Sequence, residues 1–145
     1  MEMAALYPAQ MPNVTMDMDY EEAVEFIGFM HAMMTVHDKE LFANMPAFEG
    51  IVSREHLIGG AEGYSIELFI DQPRNRHGSL PGVVHLHGGG MTFDTARSAS
   101  NVRWRKALAE HELVVIGVEF RNEALSLGHQ PVSYTHLTLP TMLMV

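Results

Sequence analysis

The 145-residue sequence contains no cysteine. A disulfide framework and a thiolate metal site are therefore excluded. It has no unbroken apolar run of about 18 residues, the length a helix needs to cross a bilayer. The opening stretch MEMAALYPAQMPNVTMDMDYEE has no basic n-region and does not follow a secretory signal pattern. Positive charge is scarce near the start, where residues 1–50 carry nine acids and a single base, Lys39. Nucleic-acid binding wants a basic patch, and no such patch is present. Neither glycine pattern that cradles phosphate, Gly-x-Gly-x-x-Gly or Gly-x-x-x-x-Gly-Lys-Ser/Thr, occurs anywhere. The expectation is a cytoplasmic protein with no membrane span, no nucleic-acid partner and no cofactor.

What is present fits one globular domain. The 47% hydrophobic and 19% charged residues separate it from disordered chains. The net charge of −9 is uneven. Residues 51–131 carry nine acids and eight bases, and residues 132–145 carry no acidic or basic side chain other than a histidine. Three zones follow: a lead-in with helices over 1–49, a core over 50–131 and an apolar tail over 132–145.

Asp19 is a helix N-cap candidate, with Glu21 and Glu22 in the first turn, where the helix dipole favours acids. Ala23, Phe26, Ile27, Met30, Met33 and Met34 then recur at helical spacing. The pattern predicts a helix over 20–36 and a second piece over 38–45, ending before Pro46. After Gly50 the period falls to two. Strands are predicted at 51–58, 64–70 and 82–87, with DQPRNRHGSLPG as a polar connection before the third. Residues 95–111 read as a helix capped by Thr95 or Ser98. LVVIGVEF, 113–120, is the near-continuous apolar run of a strand buried on both faces. Strand, helix and buried strand in that order indicate a parallel crossover. The fold class is α/β, with antiparallel edge strands leading into a mostly parallel sheet.

The chemistry concentrates in GVVHLHGGGMTF, residues 82–93. In an open α/β sheet, function sits in loops at the carboxyl ends of strands, and His87-Gly88-Gly89-Gly90 lies there. His85 and His87 share a strand face and invite a metal reading. A third close ligand is missing, since the nearest downstream acid is Asp94, so the pair reads instead as one packed and one hydrogen-bonded histidine. The remaining reading is an oxyanion hole. Acyl transfer builds negative charge on a carbonyl oxygen, and each backbone N–H aimed at it contributes about 10²–10³ in rate.

The segments PGVVHLHGGGMTF, RWRKALAEHELVVIGVEFRNEA and GHQP together resemble the hormone-sensitive-lipase-like esterases, a group of α/β-hydrolases. The resemblance covers about residues 50–131. It implies a serine carboxylic-ester hydrolase acting on a small-molecule ester, with no metal. Gly89 and Gly90 would be the oxyanion donors, Gly88 would give the loop its turn, and His87 would brace the loop. Met91 and Phe93 would border the substrate pocket. Residues 20–48 sit where that group places helices of a cap.

Such an enzyme needs a serine on a Gly-x-Ser-x-Gly elbow, then an acid, then a histidine. GSLPG places its serine second, GYSIE has no closing glycine, and no other segment fits. The tail gives a reason. VSYTHLTLPT back-translates as GTC TCT TAT ACA CAT CTG ACG CTG CCG ACG, which resembles a transposon end joined to a sequencing-library adaptor. Residues 132–145 are therefore read as non-native, with native sequence ending near Pro131 and the catalytic triad beyond it. Truncation at that point implies an incomplete α/β-hydrolase fold, with strand 113–120 as an unpaired apolar edge, and an inactive chain. Two other classes compete: a non-catalytic α/β module holding a small molecule or lipid, and a metal-dependent barrel built on His-x-His. The barrel wants many short strands and an acid soon after the second histidine, and neither feature is here.

Overall fold

The computed structural model describes residues 15, 17–60, 63–90 and 92–122. Met91 and the tail over 132–145 lie outside the described residues. The order is α1 (Tyr20–Phe42), β1 (Ile51–Gly59), β2 (Ser65–Pro73), β3 (Gly82–Leu86), α2 (Ala99–Ala109) and β4 (Val114–Glu119).

Asp19 caps α1 as the sequence predicts. Its Oδ1 accepts the Glu22 N–H at 2.9 Å, and Glu22 Oε2 accepts the Asp19 N–H at 3.2 Å, a reciprocal capping box. The helix runs unbroken for 23 residues, so the expected division into 20–36 and 38–45 is not found. Neither glycine nor proline lies between Phe29 and Phe42 to interrupt it, and Pro46 falls beyond its end. No helix among the described residues is long and apolar enough to cross a membrane.

The sheet has the order β1-β2-β4-β3. β1 and β2 form an antiparallel hairpin from Ile51↔Pro73 to Gly59↔Ser65. β2 is also antiparallel to β4, while β3 and β4 are parallel across the α2 crossover. β4 is thus an inner strand, paired on both sides. The expectation that 113–120 would be an unpaired edge is overturned, and the outer strand on that side is β3. Val84, in the middle of β3, is 63% exposed. β1, the other outer strand, carries Arg54, Glu55 and His56, charged and polar groups of the kind that blunt an edge.

α2 covers one sheet face. Ile51, Ala109 and Val115 form the buried cluster, flanked by Phe48, Val83, Leu108 and Leu113. Arg105, also on α2, is only 2% exposed. Its Nε donates to Asp71 Oδ2 at 2.8 Å, and its guanidinium donates to the Ala96 carbonyl at 2.6 Å. Ser53 Oγ donates to the other Asp71 oxygen. The same pair explains why β2 continues to Pro73 through residues whose polarity reads as a loop. Gly117 accommodates the arginine, since a β-carbon there would lie 2.8 Å from Arg105 Cδ, Nε and Cζ.

α2 starts at Ala99, four residues later than the predicted 95. The intervening backbone is committed elsewhere: the Thr95 N–H donates to Asp94 Oδ1 and the Ala96 N–H to Glu119. Ser98 holds the N-cap position without a side-chain cap bond. Asp38 of α1 substitutes for it by accepting the Ser100 N–H at 2.8 Å. This contact, with Arg103 donating to the Pro46 carbonyl at 2.9 Å, seats α1 on α2.

Candidate functional site

β3 delivers the chain to the carboxyl edge of the sheet, and the glycine loop leaves from there. Gly89 (φ +98°) and Gly90 (φ +62°) are left-handed. Gly88 is not, so the turn is carried by the second and third glycines rather than the first. Only Gly89 is sterically obligatory: a β-carbon there would lie 1.8 Å from the Phe93 carbonyl oxygen, whereas Gly88 and Gly90 face open space. The loop closes on itself, with the N–H groups of Thr92 and Phe93 donating to the Gly89 carbonyl at 3.0 and 3.2 Å. Among the described residues, the Gly89 and Gly90 amides have no hydrogen-bond acceptor.

His87 is 5% exposed and stacks flat on Phe120, with ring centroids 4.1 Å apart. Its Nδ1 lies 3.0 Å from the Gly88 carbonyl oxygen. That oxygen can only accept, so Nδ1 donates and ties the histidine to its own loop. Nε2 faces Glu119 Oε1 at 3.4 Å. The other Glu119 oxygen accepts from Thr95 Oγ1 and, at 3.0 Å, from the Ala96 N–H.

Beyond the glycines the chain is pinned at Asp94, which takes φ +78° despite its side chain. Its carbonyl accepts from buried Asn122 at 2.8 Å, and its Oδ2 accepts from Asn101 at 3.1 Å. His31 of α1 accepts the Asp94 N–H at 3.3 Å. Arg97 then reaches back over the Phe69 ring to Glu67 at 2.9 Å and Glu55 at 3.2 Å. The hydrogen bond with Glu67 contributes most to raising the Arg97 pKa above its ordinary value.

His85 shares the α2-facing side of β3, as the sequence spacing implies. Burial lowers its pKa, Arg105 and His87 lower it further, and Asp94 partly opposes them. The described residues hold no group of three or more metal-ligating side chains. Phe93 is half-buried, and its backbone seals Gly89. Two open cavities among the described residues, about 520 and 270 Å³, lie beside β1 and α2, away from the glycine loop.

The sequence located the loop and its histidine. It named Thr95 only as a helix cap and Asp94 only as a distant acid, and it did not single out Asn122 or Arg105. Strand register offered a signal for Glu119: Leu86 pairs with Val118, so His87 falls opposite Glu119.

No protein-family model matches the chain, and no curated protein does. Solved structures do. A brefeldin A esterase, described as a bacterial homologue of human hormone-sensitive lipase, is 30% identical with a TM-score of 0.76, over 86% of this chain and 35% of its own. A bacterial heroin esterase is 25% identical with a TM-score of 0.60, over 68% of this chain and 31% of its own. The esterase Est22 is 25% identical with a TM-score of 0.55, over 72% and 30%. The chain thus spans about a third of the length of each. Its α/β sheet and helices have the fold of the corresponding part of an α/β-hydrolase, and these neighbours are ester hydrolases.

Proposed function

We propose that this chain comes from a serine carboxylic-ester hydrolase of the hormone-sensitive-lipase-like group and carries its oxyanion loop. The observation that carries the reading is the glycine loop at the β3 terminus. Two left-handed glycines present adjacent amides with no acceptor among the described residues, on a backbone fixed at both ends. Such donors, placed before the reaction begins, stabilise the oxygen that becomes negative in acyl transfer. Gly89 and Gly90 are the donors, and His87 and Gly88 hold the entrance. Met91 and Phe93 border the acyl or alcohol group of a small or medium ester.

The second oxyanion component in this kind of site is the N–H following the nucleophile, and no serine here lies on the required elbow. Residues 132–145 are adaptor-derived in this account, and the nucleophile, acid and histidine are assigned to no residue of this chain. A non-catalytic ligand-binding module would share the fold but would not need two adjacent amides without an acceptor among the described residues.

Purified chain with a chromogenic short-chain ester and a serine-directed covalent inhibitor tests the assignment. The expected result is no burst of product and no inhibitor-sensitive turnover. Turnover abolished by the inhibitor, with its label on a serine within residues 1–131, would overturn the account.

A further inference from the structure

Two buried polar atoms at the site, His87 Nε2 and Glu119 Oε1, have no hydrogen-bond partner among the described residues, yet they face each other at 3.4 Å. Buried polar groups are rarely left unpaired, so such a facing pair calls for an explanation. An approach of about half an ångström brings them to hydrogen-bond length. The Glu119 side chain is 16% exposed, and its other oxygen is occupied by Thr95 Oγ1 and the Ala96 N–H.

We propose that Glu119 is the positioning residue of the glycine loop, holding its entrance through His87 and its exit through Thr95 and Ala96. As a role in ester hydrolysis this rests on the oxyanion reading above. One carboxylate at the end of an inner strand spans the segment 87–96 from both sides. β4 is paired with both β2 and β3, so the anchor is rigid. Fixing a donor loop from a rigid element is how a site keeps its geometry before substrate arrives.

Hydrogen bookkeeping gives the role a signature. His87 Nδ1 is spent on the Gly88 carbonyl, so closing Nε2 onto a carboxylate takes one proton held by the pair. A glutamine at 119 would supply that hydrogen from its amide, donating to Nε2 while its oxygen accepts from Thr95 and Ala96. Alanine would supply neither contact.

The test is hydrogen–deuterium exchange on the whole chain, read on the hydrogen-bonded amides of Thr92, Phe93 and Asp94. Two control amides report on the sheet: Arg74, bonded to the Gly50 carbonyl at 2.8 Å, and Val114, bonded to the Pro81 carbonyl at 2.9 Å. Glu119→Ala should speed exchange in the loop about tenfold or more and leave both controls unchanged, because the opening is local. Glu119→Gln should return the loop to within about twofold of the parent chain. Unchanged loop exchange in the alanine variant, equal acceleration at the controls, or failure of glutamine to restore the loop would each overturn the proposal. Should Glu119→Ala not fold, Thr95→Val removes the hydroxyl that donates to Glu119 and accepts the exposed Arg97 N–H; faster exchange at Thr92, Phe93 and Asp94 supports the role, and parental exchange there overturns it. The readout involves no ester, so a failed oxyanion reading would leave this result standing, and the reverse holds too.

Discussion

The carbonyl oxygen of Phe93 rests against the α-carbon of Gly89, so closely that a β-carbon at position 89 would meet it at 1.8 Å. This contact, rather than loop flexibility, explains the middle glycine of the three.

It predicts an asymmetry among them. Gly89→Ala must displace the Phe93 carbonyl and break the turn bonds from Thr92 and Phe93. Gly88→Ala meets no atom and no left-handed backbone, so it should change stability by no more than about 0.5 kcal/mol. Exchange rates of the Thr92 and Phe93 amides in the two variants check this. Equal rates in both would mean the close approach does not set the loop.

The buried Asp71–Arg105 pair makes a second prediction. Arg105→Met leaves Asp71, 1% exposed, without its partner and should cost about 3–5 kcal/mol in denaturant unfolding. Adding Asp71→Val to the same chain should recover more than half of that loss, because the isolated charge is gone. Additive losses in the double variant would contradict the account.

How much was legible beforehand follows from where the polar residues went. The alternating strands, the parallel crossover and the glycine loop were readable because apolar period and turn residues set them locally. Asp71 and Gln72 read as connection in the sequence because polar residues outside a visible pattern look like loops. The burial of Asp71 depends on Arg105, which lies 34 positions away in the chain. The late start of α2 was hidden for the same reason, since Glu119 claims the Ala96 N–H from across the sheet. β4 was correctly seen as an apolar strand but misplaced as an edge, because strand order is not written in hydrophobic period.

His85 gives a pH dependence. Its pKa in the folded chain lies below the ordinary 6.5, chiefly through burial. The unfolded chain therefore takes up the proton first as pH falls. This site's contribution to stability is full above about pH 6.5 and declines on acidification until the folded-state pKa is passed. Unfolding free energies at pH 7.5 and pH 5.5 should differ less in His85→Gln than in the parent chain. An unchanged difference would remove His85 as a source of the acid sensitivity.

The central claim is that the amides of Gly89 and Gly90 donate to an ester-derived oxyanion. Proline substitution cannot test it cleanly, because φ +98° at Gly89 lies outside the range proline can adopt. Replacing Gly89 or Gly90 with glycolic acid exchanges the N–H for an oxygen and leaves the backbone angles available. The host is an ester-hydrolysing protein that contains residues 82–93 of this chain as its glycine loop. Turnover of a short-chain ester should fall about 10²–10³-fold for each donor removed, with KM little changed. Turnover equal to that of the unmodified enzyme at both positions would contradict the assignment.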